Sequence, residues 1–182
     1  MSTIKIAVFV GSLRPESINR RLALAVEKLA PSSLAFEPVE IGDLPLYTQA
    51  FDGDYPAPCK RLKQQVEAAD ALLFVTPEYN RSIPGVLKNA IDQASRPWGQ
   101  SKWGGKPAAV CGVSIGTVGT AVAQSHLHSV LSFLAMPQLG QPEMYIQWKE
   151  GLVVDGAIGQ ASREHVQKFV DALVAWMRQH QA

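Results

Sequence analysis

The sequence predicts a doubly wound α/β fold, a three-layer sandwich built on a five-stranded parallel sheet, and three observations carry that expectation. Strand-like and helix-like segments alternate almost to the end of the chain. Three of the strand-like segments are near-continuous apolar runs, as a strand covered on both faces requires. Loops of unusual composition follow those same three segments, where ligands bind in open parallel sheets.

Taken in order, Ile4 to Val10 is the first apolar strand, and Asn19 to Leu29 follows with helical apolar spacing. A strand over Leu34 to Ile41 and a helix over Ala57 to Ala69 come next. Ala71 to Thr76 is the second continuous apolar run; Pro84, with its pre-set φ, opens a helix reaching Ser95. Ala108 to Ser114 is the third run, before a helix over Gly119 to Leu134, a weaker strand near Gln138 to Ile146, and a last helix over Ser162 to His180. Between these last two, Lys149 to Gln160 carries three glycines and reads as a mobile excursion with no chemistry of its own. Right-handed crossovers then give the flavodoxin-like strand order 2-1-3-4-5, with the switch point between the first and third strands.

At 182 residues the chain suits one domain spanning 1–182. A net charge of +1, with 18% charged and 47% hydrophobic residues, disfavours disorder and a nucleic-acid-binding surface. No apolar run approaches the roughly 20 residues of a membrane span. The N-terminus enters a strand pattern without a signal-like segment, so the expected location is cytoplasmic, with no membrane partner. Cys59 and Cys111 are too far apart for a metal or redox pair and read as reduced thiols; no metal site is expected.

The first loop, Gly11-Ser12-Leu13-Arg14-Pro15-Glu16-Ser17-Ile18-Asn19, joins a strand directly to a helix. A helix N-terminus offers unpartnered N–H groups and partial positive charge, and Ser12, Arg14, Ser17 and Asn19 add donors, so a phosphate suits the turn. Neither G-x-G-x-x-G nor G-x-x-x-x-G-K-[ST] is present, which points away from dinucleotide and triphosphate loops. The plainer alternative is that Ser17 caps the helix and Arg14 is a surface charge. In the second loop, Thr76 to Gly85, Pro77 and Pro84 fix φ and remove donors, leaving a rigid turn suited to a planar polar ligand edge.

The third loop, Gly112 to Thr120, admits two readings. Gly112-x-Ser114-x-Gly116 matches a nucleophile elbow, with Asp155 and then His165 or His180 in the chain order of a serine hydrolase. That fold needs more strands than this chain holds. The competing reading is that small residues let the backbone approach a flat ring, with N–H groups between Ser114 and Gly119 at a helix start facing it.

Together the loops resemble the NAD(P)H-dependent FMN reductase family, in the branch of bacterial quinone, azo-dye and chromate reductases. The carriers are Gly11-Ser12-Leu13-Arg14-x-x-Ser17-x-Asn19, Thr76-Pro77-Glu78-Tyr79-Asn80-x-Ser82-x-Pro84-Gly85-x-Leu87-Lys88-Asn89-Ala90-Ile91-Asp92, and Gly105-Lys106-Pro107. The resemblance implies FMN as cofactor, NADPH or NADH as co-substrate, and ping-pong hydride transfer through flavin N5 to quinones, free flavin or similar small acceptors. No side chain is implied as a catalytic acid or base. It also implies that Ser12, Arg14, Ser17 and Asn19 hold the phosphate, that Pro77, Glu78, Tyr79 and Asn80 border the isoalloxazine ring, and that Ser114 and Gly116 line its other side.

Two departures are visible. Pro15-Glu16 precedes Ser17 where many relatives have glycine, so Glu16 is expected to face solvent. Arg81 stands where relatives often have an aromatic or small residue, and is either drawn to the extra phosphate of NADPH or a rim charge; Tyr79 and Arg81 are the substrate-facing candidates, with purely structural rim residues as the alternative. A flavodoxin-type electron carrier is the alternative, but its acidic docking surface is missing. Association to a homodimer or homotetramer is implied by the family; Trp98 and Trp103 are expected to pack either on a partner or on the chain's own sheet edge.

Overall fold

The computed structural model describes residues 3–180. Strands β1 (Ile4–Val10), β2 (Leu34–Pro38), β3 (Ala71–Val75), β4 (Ala108–Ser114) and β5 (Tyr145–Gln147) form one parallel sheet in the expected order, β2-β1-β3-β4-β5. Helices α1 (Ile18–Leu29), α2 (Ala57–Ala68), α3 (Gly85–Ala94), α4 (Ala121–Phe133) and α5 (Gln160–Gln179) cover both faces.

Alternate side chains of β1 leave on opposite sides of the sheet. Ile4, Ile6 and Val8 join Leu22 and Val26 of α1 and Phe169 and Leu173 of α5, whereas Ala7 and Phe9 join Leu62 of α2, Leu87 and Ile91 of α3, and Leu127 of α4. Two buried faces explain why the central strands read as continuous apolar runs. Trp103 belongs to the second face: it is fully buried, its indole N–H donates to the Ile91 carbonyl at 2.9 Å, and its ring meets Phe9 edge-on at 5.5 Å. Its loop therefore packs on the chain's own core, while Trp98 stays exposed.

Three elements differ from the sequence expectation. β2 stops at Pro38, and Val39 makes a last bond to the Val8 carbonyl before the chain turns at Gly42. β5 is only three residues long, because after a single bridge between Gln138 and Ala108 the Gly140-Gln141-Pro142 segment interrupts the ladder, and proline has no N–H to offer it. The segment expected as an excursion, Lys149 to Gln160, contains a hairpin, β6 (Val153–Val154) and β7 (Ala157–Ile158), turned through Asp155 and Gly156 at φ 49° and 70°. Asp-Gly between short apolar pairs is a turn signal of the I′ type. The hairpin packs on α1, where Arg21 donates to the Val153 carbonyl at 3.2 Å and lies 4.6 Å over the Trp148 ring.

Two polar residues within the motifs that carry the family resemblance also find structural work. The Lys106 ammonium donates to the Ala69 and Glu67 carbonyls at 2.6 and 3.1 Å, capping the negative end of α2. Asn89 accepts from the Tyr47 N–H at 2.9 Å and donates to the Pro45 carbonyl at 3.0 Å, tying the loop after β2 to α3. Both cysteines are free and buried, and burial pushes the Cys111 thiol up to about 12.

Candidate functional site

The three loops after β1, β3 and β4 begin side by side. Gly11 donates to the Val75 carbonyl and Thr76 to the Cys111 carbonyl, both at 2.9 Å, so the ladder holds their first residues in register.

In the first loop, Ser17 caps α1: its hydroxyl oxygen accepts from the Arg20 N–H at 3.2 Å, which leaves the hydroxyl proton free to donate. Ser12 is buried, yet among the described residues its hydroxyl has no protein partner. The N–H groups of Ser12, Leu13, Arg14, Glu16, Ile18 and Asn19 likewise find no protein acceptor among the described residues. Arg14 and Glu16 are exposed, and Arg14 makes no ion pair among those residues. Asn19 is turned away from this cradle. Its amide donates to the Val113 carbonyl at 2.9 Å and accepts from the Val113 N–H at 3.0 Å, fastening α1 to β4. What Asn19 offers the loop is its backbone N–H, with its side chain serving as a strut.

The second loop is tighter than its prolines alone require. Tyr79 and Ser82 exchange backbone hydrogen bonds at 3.1 and 3.0 Å around Asn80 and Arg81, whose φ values are 50° and 63°. This is a two-residue turn of the I′ type with a non-glycine pair at its tip, a conformation costing roughly 1 kcal/mol or more per residue. Arg81 is held there by its ion pair to Glu78 at 3.1 Å, and the Ser82 hydroxyl lies 3.0 Å from Nδ1 of His126 on α4.

Glu78 has a role that its position in the sequence does not announce. Its carboxylate is nearly buried, and Oε2 accepts from the N–H groups of Val122 and Ala123 at 3.0 and 3.1 Å. Thr120, at the N-cap position, makes no side-chain capping bond, so Glu78 caps α4 from another loop. Glu78→Ala is expected to destabilise the protein by about 2–3 kcal/mol, and Glu78→Gln, which keeps one oxygen, by less than half as much. Urea denaturation checks the pair.

The third loop faces the second across a cavity of about 370 Å³, lined by Glu78, Asn80 and Arg81 on one side and Ser114 to Gly119 on the other. The sequence placed a helix start here, but α4 begins at Ala121 and its first-turn donors Val122 and Ala123 are committed to Glu78. The donors left for a ligand are the loop N–H groups of Ile115, Gly116, Thr117 and Val118, which have no protein acceptor among the described residues. Ser114 donates its hydroxyl proton to the Gly119 carbonyl at 2.5 Å. That bond removes the nucleophile-elbow reading, since a nucleophilic serine gives its proton to a histidine. Asp155 sits in the β6–β7 turn, His165 is exposed on α5, and His180 lies against Trp176 at the end of α5.

Residues 4–150, which contain all three loops, match the family model described as NADPH-dependent FMN reductase. The chain belongs to the NADPH-dependent FMN reductase family. A 2-hydroxy-1,4-benzoquinone reductase from Burkholderia sp is 54% identical over 177 residues, covering 96% of this chain and 97% of the relative. A quinone reductase from Pseudomonas putida is 49% identical over 179 residues, covering 97% and 96%. Among solved structures, the flavoenzyme NAD(P)H:(acceptor) oxidoreductase FerB from Paracoccus denitrificans superposes with a TM-score of 0.94 at 45% identity, covering 97% of this chain and 98% of that one. Family membership removes the electron-carrier alternative.

Proposed function

We propose that this reductase-family chain, acting as one domain over residues 1–182, binds FMN and uses NADPH or NADH to reduce quinones to hydroquinones. The observation that carries the reading is the juxtaposition at one sheet edge of a cradle of unpaired donors and a slot bordered by backbone N–H groups. The Ser12 hydroxyl, which has no partner among the described residues, and the free N–H groups at the start of α1 fit a dianionic phosphate. Ser17 adds its free hydroxyl proton, and Arg14 a guanidinium that makes no ion pair among the described residues. Asn19 contributes through its N–H.

The chemistry supplied by bound FMN is two-electron carriage from the nicotinamide to the quinone. The chain's part is to hold, orient and admit. Glu78 and Asn80 form one border of the slot and Ser114 to Gly116 the other, with buried Pro77 and exposed Tyr79 beside that border in the same loop and the N–H groups of Ile115 to Val118 offered to the polar edge of a ring. Glu78 fixes the slot width by locking the second loop to α4. Tyr79 and Arg81 stand exposed at the rim, where Arg81 supplies a cation for the anionic part of NADPH. One mouth serves both substrates, so the oxidised donor leaves before the acceptor enters, and initial-rate plots are expected to show parallel lines.

Purified protein given FMN is expected to oxidise NADPH far faster with p-benzoquinone than without it; an unstimulated rate would refute the activity. Arg14→Ala is expected to weaken FMN binding by about tenfold while leaving the melting temperature unchanged. No helix among the described residues is long and apolar enough to cross a membrane. A cytoplasmic setting and self-association are part of this reading, supported by the free thiols and by the exposed Leu46, Trp98 and Phe133. Sedimentation of dilute protein as a clean monomer would remove the association.

A further inference from the structure

The turn over Tyr79 to Ser82 is held in a conformation that its own residues disfavour. Asn80 and Arg81 both sit at positive φ, 50° and 63°, and both line the slot. Asparagine visits the left-handed region with some ease, but arginine carries the full steric penalty of a Cβ there. Backbone bonds between Tyr79 and Ser82 close the turn without anchoring it to a neighbouring element. Among the described residues, two side-chain contacts anchor it: Arg81 pairs with Glu78 at 3.1 Å, and the Ser82 hydroxyl meets Nδ1 of His126 at 3.0 Å. Glu78 is itself bound to the N–H groups of Val122 and Ala123. His126 follows Val122 by one helical turn, so both contacts land on the same side of α4. Glu78 secures the entry of the strained turn, and His126 secures its exit.

We propose that His126 is a positioning residue for the nicotinamide donor: through Ser82 it keeps Asn80 and Arg81 in their left-handed conformation, with the Arg81 guanidinium at the mouth of the slot. The inference rests on the donor entering that slot, as argued above. An exposed hydrogen bond contributes about as much as one strained residue costs, so removing it brings relaxed forms of the turn level with the observed one. A donor that needs the observed form then binds more weakly, in proportion to the fraction of protein still holding it. His126 is not among the residues lining the slot, so its loss leaves kcat in place. The contact also forms in both states of the imidazole: neutral Nδ1 accepts from the Ser82 hydroxyl, and a protonated Nδ1 donates to the same oxygen. The task is one of geometry, which an uncharged amide can perform. A histidine that acted as an acid could not be replaced in that way.

The test compares His126→Ala with His126→Asn in the full-length, FMN-saturated protein, with p-benzoquinone as acceptor. His126→Ala is expected to raise the KM for NADPH by about threefold to tenfold with kcat within about twofold of the wild type, and His126→Asn, whose amide stands where Nδ1 does, to restore most of that loss. Ser82→Ala is expected to reproduce the alanine variant. In an Arg81→Gly background, where the tip becomes the asparagine–glycine pair that this turn favours, adding His126→Ala is expected to change KM by less than about twofold. Trypsin gives a readout independent of turnover, because Arg81 is exposed. Cleavage after Arg81 is expected to be about threefold to tenfold faster in His126→Ala, and cleavage after the exposed Lys149 unchanged. An unchanged KM, an unchanged rate of cleavage after Arg81, or a fall in kcat that His126→Asn shares in full would overturn the proposal and leave the reductase reading standing. Wild-type protein with no quinone-stimulated oxidation of NADPH would overturn both.

Discussion

Gly112→Ala is expected to destabilise the protein by at least about 3 kcal/mol, or to abolish folding. A Cβ at this position would lie 2.1 Å from the Thr76 carbonyl oxygen and 2.6 Å from the Thr120 hydroxyl, so β3 and β4 would have to part where the second and third loops begin. Gly116, two positions past Ser114, is the matched control. A Cβ there meets nothing nearer than the Ser114 hydroxyl at 3.6 Å, an ordinary contact. Gly116→Ala is therefore expected to keep wild-type stability in urea and to change flavin binding alone. Equal losses in the two variants would contradict this division between a packing glycine and a ligand-facing one.

Asn19→Ala is expected to cost about 2–4 kcal/mol, because it strands both backbone polar groups of Val113 in the sheet. Flavin retention is expected to fall with it, through movement of the start of α1. Asn19→Asp is expected to be similarly poor: its carboxylate still accepts from the Val113 N–H but sets a second oxygen against the Val113 carbonyl. Arg14→Ala, by contrast, removes an exposed and unpaired cation. Denaturation curves separate the strut from the ligand-holding residue, since only Asn19→Ala should shift the midpoint.

What could be read in the sequence follows from how local each signal is. The central strands announce themselves because burial on two faces leaves unbroken apolar runs, and the first loop's capping Ser17 lies three residues before the N–H it serves. The Asp155-Gly156 turn was equally local, and its pairing of Val153-Val154 with Ala157-Ile158 was there to be read. Long-range polar work was not. Asn19 meets Val113 across 94 positions, and Glu78 meets Val122 across 44, with backbone groups that carry no side-chain identity for a pattern to register. Both residues sit in motifs that carry the family resemblance, and the structure gives their side chains architectural tasks beside the cradle and the slot. The site is thus held by the same loops that line it, which ties ligand retention to stability at Glu78 and Asn19 and leaves the two separable at Arg14 and Gly116.

The central claim, that the cradle and slot hold a mononucleotide flavin, is tested most directly by releasing and identifying the chromophore of the purified protein. The account predicts a yellow protein whose denaturation frees FMN at close to one equivalent per chain, and whose stripped form regains the spectrum when FMN is added. A colourless protein that FMN does not perturb would contradict it.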